Sequence, residues 1–356
     1  MDRFAVLAEG YLRSHNGKTA HGILRFRPEN VAVVIDSQNA GSTVNAVMPG
    51  YESAAPIVAF VREALSYKPT SLLVGVATDG GAIPQVMRKP ILDAADAGLS
   101  IVSGLHQLLA DDPQIVEHAK RSGARLWDVR VPPRDIPLFS GAAYAVPQQV
   151  VLAVGSDCAV GKMTAMLEIE KAAICAGVKA EFIATGQTGI MIAGKGIAVD
   201  RVISDFVTGA AEQLVLGANA DSQVLLVEGQ GAIFHPAYAP VTFGLLYGSA
   251  PDALVLCHRP GSGHIHGFAQ IIPDLRDLVS AHESLLQHVK PARVVAIALD
   301  TSSLSMNEAR LLALKTEAQI GVVTSDPVRE GGAKIWKAIA ANLTQTKKAR
   351  SALTRT

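Results

Sequence analysis

One segment, GSDCAVGKMT at 155–164, constrains the fold of this chain more than any other. It directly follows the apolar, β-branched run QVVLAV at 149–154, and a helical pattern comes after it. A glycine-rich turn between a strand and a helix lets backbone N–H groups point toward an anion, and the helix N-terminus adds positive potential. The segment therefore predicts a phosphate-binding loop, or P-loop, formed by Gly155, Ser156, Asp157, Cys158, Ala159, Val160, Gly161, Lys162, Met163 and Thr164.

This loop departs from the usual G-x-x-x-x-G-K-[ST] pattern in two ways. Five residues separate the glycines, and Met163 follows Lys162 where a Ser or Thr hydroxyl normally holds Mg²⁺. A thioether is a poor ligand for a hard cation, and Thr164 lies about 100° further round the helix. We therefore expect the loop to hold phosphates without Mg²⁺-assisted phosphoryl transfer. Such a loop suits a ligand whose phosphates serve only for binding and do not react, such as coenzyme A, as much as it suits ATP.

Short apolar runs alternate with helical patterns along the whole chain, which is typical of parallel sheets covered on both faces. The predicted strands are 31–36, 71–77, 99–103, 125–129, 149–154, 180–184, 223–227, 253–257, 293–299 and 320–323. The predicted helices lie near 56–66, 84–97, 113–122, 162–176, 205–216, 274–288, 306–318 and 332–343. We predict an α/β fold with a Rossmann-like N-terminal domain (1–138), a larger P-loop NTPase-like doubly wound parallel-sheet domain (139–346) and a basic tail (347–356).

Composition narrows the functional classes. Apolar residues make up 49% of the chain, but its two long uncharged stretches, 136–156 and 229–251, contain prolines, glycines and glutamines. These stretches are predicted to be loops joined to buried strands and not membrane spans. Zero net charge without a basic run argues against nucleic-acid binding. No apolar signal segment follows residues 1–10, and three cysteines give no disulfide framework, so we expect a cytoplasmic protein. We separately expect a homo-oligomer.

Polar residues also follow three other predicted strands, where ligands bind in open α/β sheets. Glu228 in VEGQGA (227–232) is a candidate base or outer-sphere metal carboxylate; a helix cap or a loop ion pair is its alternative. The segment CHRPGSGHIHG (257–267) carries Arg259, a candidate substrate ligand, and three candidate proton acceptors, His258, His264 and His266. No cysteine or carboxylate pair completes a metal site around these histidines, so we predict no metal.

The third of these polar segments, ATGQTGIM at 184–191, is predicted to be a glycine-rich loop. Gln187 and Thr188 in this loop are candidate substrate ligands, and Lys195 and Arg201 beyond it are candidate partners for a substrate carboxylate. A plain surface loop is an equal alternative. The N-terminal part contains no G-x-G-x-x-G fingerprint after a strand, so a nicotinamide cofactor is not predicted.

The P-loop and EGQGA at 228–232 together resemble the dethiobiotin synthetase branch of P-loop proteins, which has the same loop spacing and an EGxGG-type segment. Over nearly its whole length the chain resembles a two-domain bacterial family that includes the DgcN-type D-glutamate N-acetyltransferases. That resemblance is carried by KTAHGILRF, VIDSQNAGST, GSDCAVGKMT, TGQTG and HRPGSGHIHG. It implies an acetyltransferase that moves the acetyl group of acetyl-CoA to the amino group of a D-amino acid, most simply D-glutamate.

Two other functions stay open at this point. One is an ATP/Mg²⁺-dependent ligase or kinase of the dethiobiotin synthetase type, and the other is a non-catalytic sensor of a nucleotide or CoA. Acetyl transfer would need a base, for which Glu228, His258, His264 and His266 are the candidates. It would also need a cation for the substrate carboxylate, for which the candidates are Arg259, Lys195 and Arg201.

Overall fold

The computed structural model describes residues 3–353, except for the side chains of residues 79 and 345–353. Its strands are β1 (Phe4–Leu7), β2 (Val31–Ile35), β3 (Ile57–Val58), β4 (Ser71–Val74), β5 (Ser100–Ser103), β6 (Leu126–Asp128), β7 (Gln149–Gly155), β8 (Ala180–Ile183), β9 (Val224–Val227), β10 (Ala253–His258), β11 (Arg293–Leu299) and β12 (Val323–Ser325). Its helices are α1 (Lys18–Phe26), α2 (Val44–Val47), α3 (Val61–Ala64), α4 (Gln85–Asp96), α5 (Pro113–Ser122), α6 (Lys162–Cys175), α7 (Gln187–Ala193), α8 (Val207–Leu216), α9 (Ala239–Gly248), α10 (Leu275–Leu286), α11 (Met306–Ile320) and α12 (Ala333–Leu353).

The chain divides into two compact units. The N-terminal unit ends at Pro132 and also takes in a later segment, Gln187–Ala198; the C-terminal unit comprises Pro133–Gly186 and resumes at Val199. Each unit is built on one parallel sheet, so the predicted α/β fold class is confirmed. The predicted basic tail begins inside α12, and its last residues, 354–356, lie outside the described part of the chain.

In the N-terminal unit the strands follow the order β3-β2-β1-β4-β5-β6, and each neighbouring pair is parallel. This is the strand order of Rossmann folds, with the change of direction between β1 and β4. Every residue of β1 and β4 is buried, as central strands of a sheet covered on both faces must be. The buried carboxylate of Asp36, directly after β2, accepts the N–H of Gly10 at 3.0 Å and closes the loop that follows β1.

The helix α7 belongs to the N-terminal unit although it lies far along the chain. It packs against α1, and the hydroxyl oxygens of Thr188 and Thr19 lie 3.1 Å apart. Gln187 packs so closely on Gly104 that a Cβ added to Gly104 would collide with the Gln187 side chain. The prediction of a glycine-rich loop was therefore wrong from Gln187 onward, where six consecutive residues of α7 are buried.

In the C-terminal unit the strands follow the order β12-β11-β10-β7-β9-β8, again all parallel. After β7 the chain first builds β8 and β9 on one side of it and then β10, β11 and β12 on the other. The carboxyl end of β7 is therefore a topological switch point, the place where open α/β sheets bind ligands. Because the P-loop begins there, the fold puts the predicted anion site at this point.

Most predicted strands and helices are confirmed, and the differences have local causes. The structure adds the short strand β1 and starts β12 three residues later because Ile320 still belongs to α11. The predicted helix at 56–66 was wrong over its first part, which forms β3, and only Val61–Ala64 of it is α-helical. The uncharged stretch 229–251 was predicted as loop but contains α9, in which Gly244 faces Val207 and Gly248 faces Thr208 of α8 at closer range than a Cβ would allow. Among the described residues, no helix is long and apolar enough to cross a bilayer.

A buried ion pair fixes the start of β7 against the turn before β10. Asp252 accepts the N–H of Val150 at 2.9 Å through Oδ2, and its Oδ1 lies 2.9 Å from Nζ of the largely buried Lys290. We expect Asp252→Asn to lower the free energy of unfolding by about 2 kcal/mol, because a buried charge loses its counter-charge. Urea titration measures this. The control Asp221→Asn, which breaks the exposed pair with Lys179, should cost less than about 1 kcal/mol; equal losses would contradict the assignment.

Candidate active site at the P-loop

The P-loop connects the end of β7 to the start of α6, and its backbone shape depends on small residues. Gly161 has φ +87° and Ala159 has φ +53°, both in the left-handed region that glycine adopts most easily. A Cβ added to Gly155 would lie 2.7 Å from Nζ of Lys162. Glycine at this position therefore leaves the space that the lysine head group occupies.

Lys162 lies inside the loop and is only 7% exposed. Its Nζ donates a hydrogen bond to the backbone oxygen of Asp157 at 2.8 Å. Burial lowers the pKa of Lys162, and the nearby thiols of Cys158 and Cys257 and carboxyl groups of Asp157 and Glu228 partly oppose that shift. A lysine in this setting provides a positive charge that water screens poorly, which is what binding of a single anionic group requires.

Glu228 comes directly after β9, the strand next to β7, and is 4% exposed. Its Oε2 accepts the N–H groups of Thr185 at 2.9 Å and Gly186 at 3.0 Å, while the Thr185 hydroxyl donates to the Glu228 backbone oxygen at 2.8 Å. Burial raises the pKa of Glu228 to about 7, against the opposing effect of these amides and of Lys162. Both backbone amide bonds reach Oε2, so neither of them occupies Oε1.

On the other side of β7, the end of β10 and the residue after it contribute two polar contacts. Nδ1 of His258 lies 2.9 Å from the hydroxyl oxygen of buried Ser156, and burial lowers the pKa of His258, so its ring is neutral at pH 7. Arg259 donates from Nε at 2.9 Å and from Nη2 at 2.6 Å to one oxygen of Asp300. Burial alone would raise the pKa of Asp300, but hydrogen bonds from Ser302 and Arg259 outweigh it and keep that pKa low.

Asp157 of the P-loop lies close to a histidine from a more distant loop. Asp157 accepts the N–H of Cys158 at 2.6 Å and that of His266 at 2.7 Å. His235 is 1% exposed, its Nε2 lies 3.9 Å from Oδ1 of Asp157, and that Nε2 has no hydrogen-bond partner in the described part of the chain.

The donor atoms of Asp157, Cys158 and His235 all lie within 4.8 Å of one another, a spacing at which they could surround a metal ion. The N–H of Ala237 donates to Nδ1 of His235 at 3.2 Å, however, and this bond places the neutral ring's proton on Nε2. A protonated nitrogen cannot ligate a metal. The arrangement therefore fits a hydrogen-bond donor at the edge of the P-loop better than a metal ligand.

The structure brings only some of the predicted site residues together. The P-loop residues, Glu228, His258 and Arg259 all lie at the carboxyl edge of the C-terminal sheet, whereas the side chains of His264 and His266 are exposed. Arg201 is half-buried in a short 3-10 helix of the same unit. Gln187, Thr188 and Lys195 belong to the N-terminal unit; the first two are buried in α7 and Lys195 is exposed.

Four polar residues of this edge were missed by the sequence analysis. Asp300 directly follows β11 and Thr185 lies two residues after the end of β8, so their position near a strand end was a signal that could have found them. Gln230 donates to the Thr185 hydroxyl at 3.2 Å and lies two residues after Glu228. His235 gave no such signal, because it lies in a turn before α9 within a stretch predicted as loop.

Strand order, a loop at the switch point and a buried acid on the neighbouring strand define the C-terminal unit as a P-loop domain joined to a Rossmann-like unit. Two family descriptions match the chain: "Domain of unknown function (DUF1611_C) P-loop domain" over residues 137–336 and "Domain of unknown function (DUF1611_N) Rossmann-like domain" over residues 37–132. The chain belongs to the DUF1611 family.

Three relatives support this assignment over most of the chain. A protein named D-glutamate N-acetyltransferase from Tritonibacter scottomollicae is 36% identical over 326 residues, which are 91% of this chain and 94% of the relative. A protein of the same name from Pseudoalteromonas sp. is 35% identical over 76% of this chain and 81% of its own length. The crystal structure of a DUF1611 family protein from Anabaena variabilis ATCC 29413 has a TM-score of 0.90 at 36% identity, covering 96% of this chain and 100% of that one. The family resemblance inferred from the sequence motifs is confirmed.

Proposed function

We propose that this protein is an N-acetyltransferase that moves the acetyl group of acetyl-CoA to the amino group of a D-amino acid, with D-glutamate as the acceptor. The observation that carries the proposal is the name shared by the two relatives, which are 36% and 35% identical to this chain over most of its length. The relatives' shared name supports the general class of acyltransferases. The cosubstrate, the acceptor and its D-configuration are the finer parts of the proposal.

Acetyl transfer to an amine requires an acceptor nitrogen without its extra proton, because an ammonium has no lone pair to attack the thioester carbon. Glu228 is the best candidate base: it is buried, the two backbone amides that hold it bond Oε2 and not Oε1, and its pKa of about 7 lets it accept a proton near neutral pH. His258 is the second candidate, because its neutral ring faces Ser156. The exposed side chains of His264 and His266 offer no comparable positioning.

The P-loop supplies an anion site in either of two functions. Met163 after Lys162 favours a ligand that is bound without Mg²⁺, whereas the loop spacing and Glu228 would also suit an ATP/Mg²⁺-dependent ligase or kinase. The sequence pattern alone predicts CoA phosphates as this ligand. A cytoplasmic location and a homo-oligomeric state also stay predictions.

The test is direct. Purified protein is incubated with acetyl-CoA and D-glutamate, and release of the CoA thiol is followed together with the mass of the product. We expect thiol release that depends on D-glutamate and yields N-acetylglutamate, with L-glutamate and acceptor-free reactions as controls. Absence of thiol release across a panel of D-amino acids would overturn the proposal, and Mg²⁺-dependent formation of ADP from ATP would support the ligase or kinase instead.

A further inference from the structure

We propose that the anion held by the P-loop is the α-carboxylate of the acceptor amino acid, and that the phosphates of CoA bind outside the loop. This assignment rests on the proposed function and names the substrate that occupies the site. It starts from the position of the two buried charged groups, Lys162 and Glu228. Glu228 directly follows β9, and Lys162 begins α6 at the end of the loop that follows the neighbouring strand β7. A Cβ added to Gly229 would lie 3.0 Å from Cδ of Lys162.

The spacing of these groups matches an α-amino acid. The Lys162 side chain reaches back to both strand ends, because a Cβ added to Gly155 at the end of β7 would lie 2.7 Å from its Nζ and one added to Gly229 would lie 3.0 Å from its Cδ. Since neighbouring strands lie about 4.8 Å apart, the base after β9 and this cation face a space only a few ångströms wide. In an α-amino acid the amino nitrogen and the carboxylate are attached to the same carbon. A substrate that places its amino group at Oε1 of Glu228 therefore brings its carboxylate to Lys162 and the loop.

Acetyl-CoA does not have this spacing. Its thioester is separated from its phosphates by the whole pantetheine arm, a long chain of single bonds. If the phosphates lay in the P-loop, the acetyl group and the attacking amine would be carried away from Glu228. A base has to be within about 3 Å of the proton it accepts, or one water away, so Glu228 could not then act.

The chemistry of the loop also fits a carboxylate. One lysine and the N-terminus of the fourteen-residue helix α6 provide positive potential for one singly charged group, and Met163 stands where a hydroxyl would hold Mg²⁺ beside phosphates. His235 gives independent evidence that a ligand belongs here. Its buried Nε2 lies 3.9 Å from Oδ1 of Asp157 and has no hydrogen-bond partner among the described residues, and such groups in native proteins usually have one.

The test is a binding cycle that changes the protein and the ligand separately. Dissociation constants for D-glutamate, for its α-amide D-isoglutamine and for CoA are measured by calorimetry with the wild type and with Lys162→Met. We expect Lys162→Met to weaken D-glutamate binding about ten- to hundredfold, the value of a charged hydrogen bond, and to change CoA binding less than about threefold. D-isoglutamine should bind the wild type as weakly as D-glutamate binds the variant, with little further loss in the variant.

The control is Lys179→Met, which removes an exposed lysine paired with Asp221 and should leave all three constants unchanged. Loss of CoA binding with intact D-glutamate binding in Lys162→Met would overturn the assignment, as would equal binding of D-glutamate and its amide to the wild type, a result that needs no variant. If the wild type binds D-glutamate through its α-carboxylate but transfers no acetyl group, the proposed function fails and the assignment of the loop stands.

Discussion

Glu228→Gln is expected to lower kcat/KM for acetyl transfer about 10²- to 10⁴-fold, because a glutamine cannot take the proton of the acceptor ammonium. The amide oxygen of glutamine can still accept the N–H groups of Thr185 and Gly186, so the fold around the site should persist. In the wild type kcat/KM should rise with pH through a midpoint near 7, the pKa of Glu228. In the variant this rise should be absent. Thiol release measured from pH 5 to 9 tests both points.

Glu228→Gln is also expected to change how the free energy of unfolding depends on pH. The folded pKa of Glu228 is about 7 against 4.5 for the free group, so the folded protein binds the proton more tightly than the unfolded chain. Stability contributed by this group is therefore full below about pH 4.5 and is lost as pH rises through 7, by about 3 kcal/mol in total. Glu228→Gln should remove that slope in urea titrations at a series of pH values.

Glu212 provides the matched control for the kinetic effect of Glu228→Gln. It is also a buried glutamate whose carboxylate accepts backbone N–H groups, those of Ser140 at 2.7 Å and Ala143 at 3.2 Å. Glu212→Gln should lower stability and leave the pH rise of kcat/KM in place. If Glu228→Gln keeps wild-type kcat/KM, or if both variants lose the rise near pH 7, Glu228 is not the base.

The parts of the fold and site that the sequence predicts are those with short-range signals. Features encoded within about ten consecutive residues were predicted correctly. They are the P-loop between QVVLAV and a helix, Glu228 after its strand, and most of the parallel strands. The helix α9 was missed because it carries no charged residue and contains Gly244 and Gly248. Those glycines allow close packing on α8, and a helix that is apolar all round gives no periodic pattern.

The rest depends on contacts between distant parts of the chain. No local pattern at Gln187–Ala193 shows that this helix packs on α1, because its partner Thr19 lies at the other end of the sequence. His235 meets Asp157 only after α9 and the P-loop have both folded onto the C-terminal sheet. The partners of a buried side chain are thus set by topology, which local sequence patterns encode only indirectly.

Gly229→Ala is expected to reduce kcat/KM at least about a hundredfold and to destabilise the protein by about 1–3 kcal/mol. A Cβ at Gly229 would collide with the backbone oxygen of Ala153 in β7 and press on Cδ of Lys162. The strand end must then move, and this shift carries both Glu228 and Lys162 out of position, where displacement by even 1 Å is costly. Kinetics and urea unfolding measure the two effects. The control Gly263→Ala adds the same methyl group where no atom lies within 4 Å, so it should change neither quantity. Wild-type activity in Gly229→Ala would mean that the close packing of these two strand ends is not what positions the site.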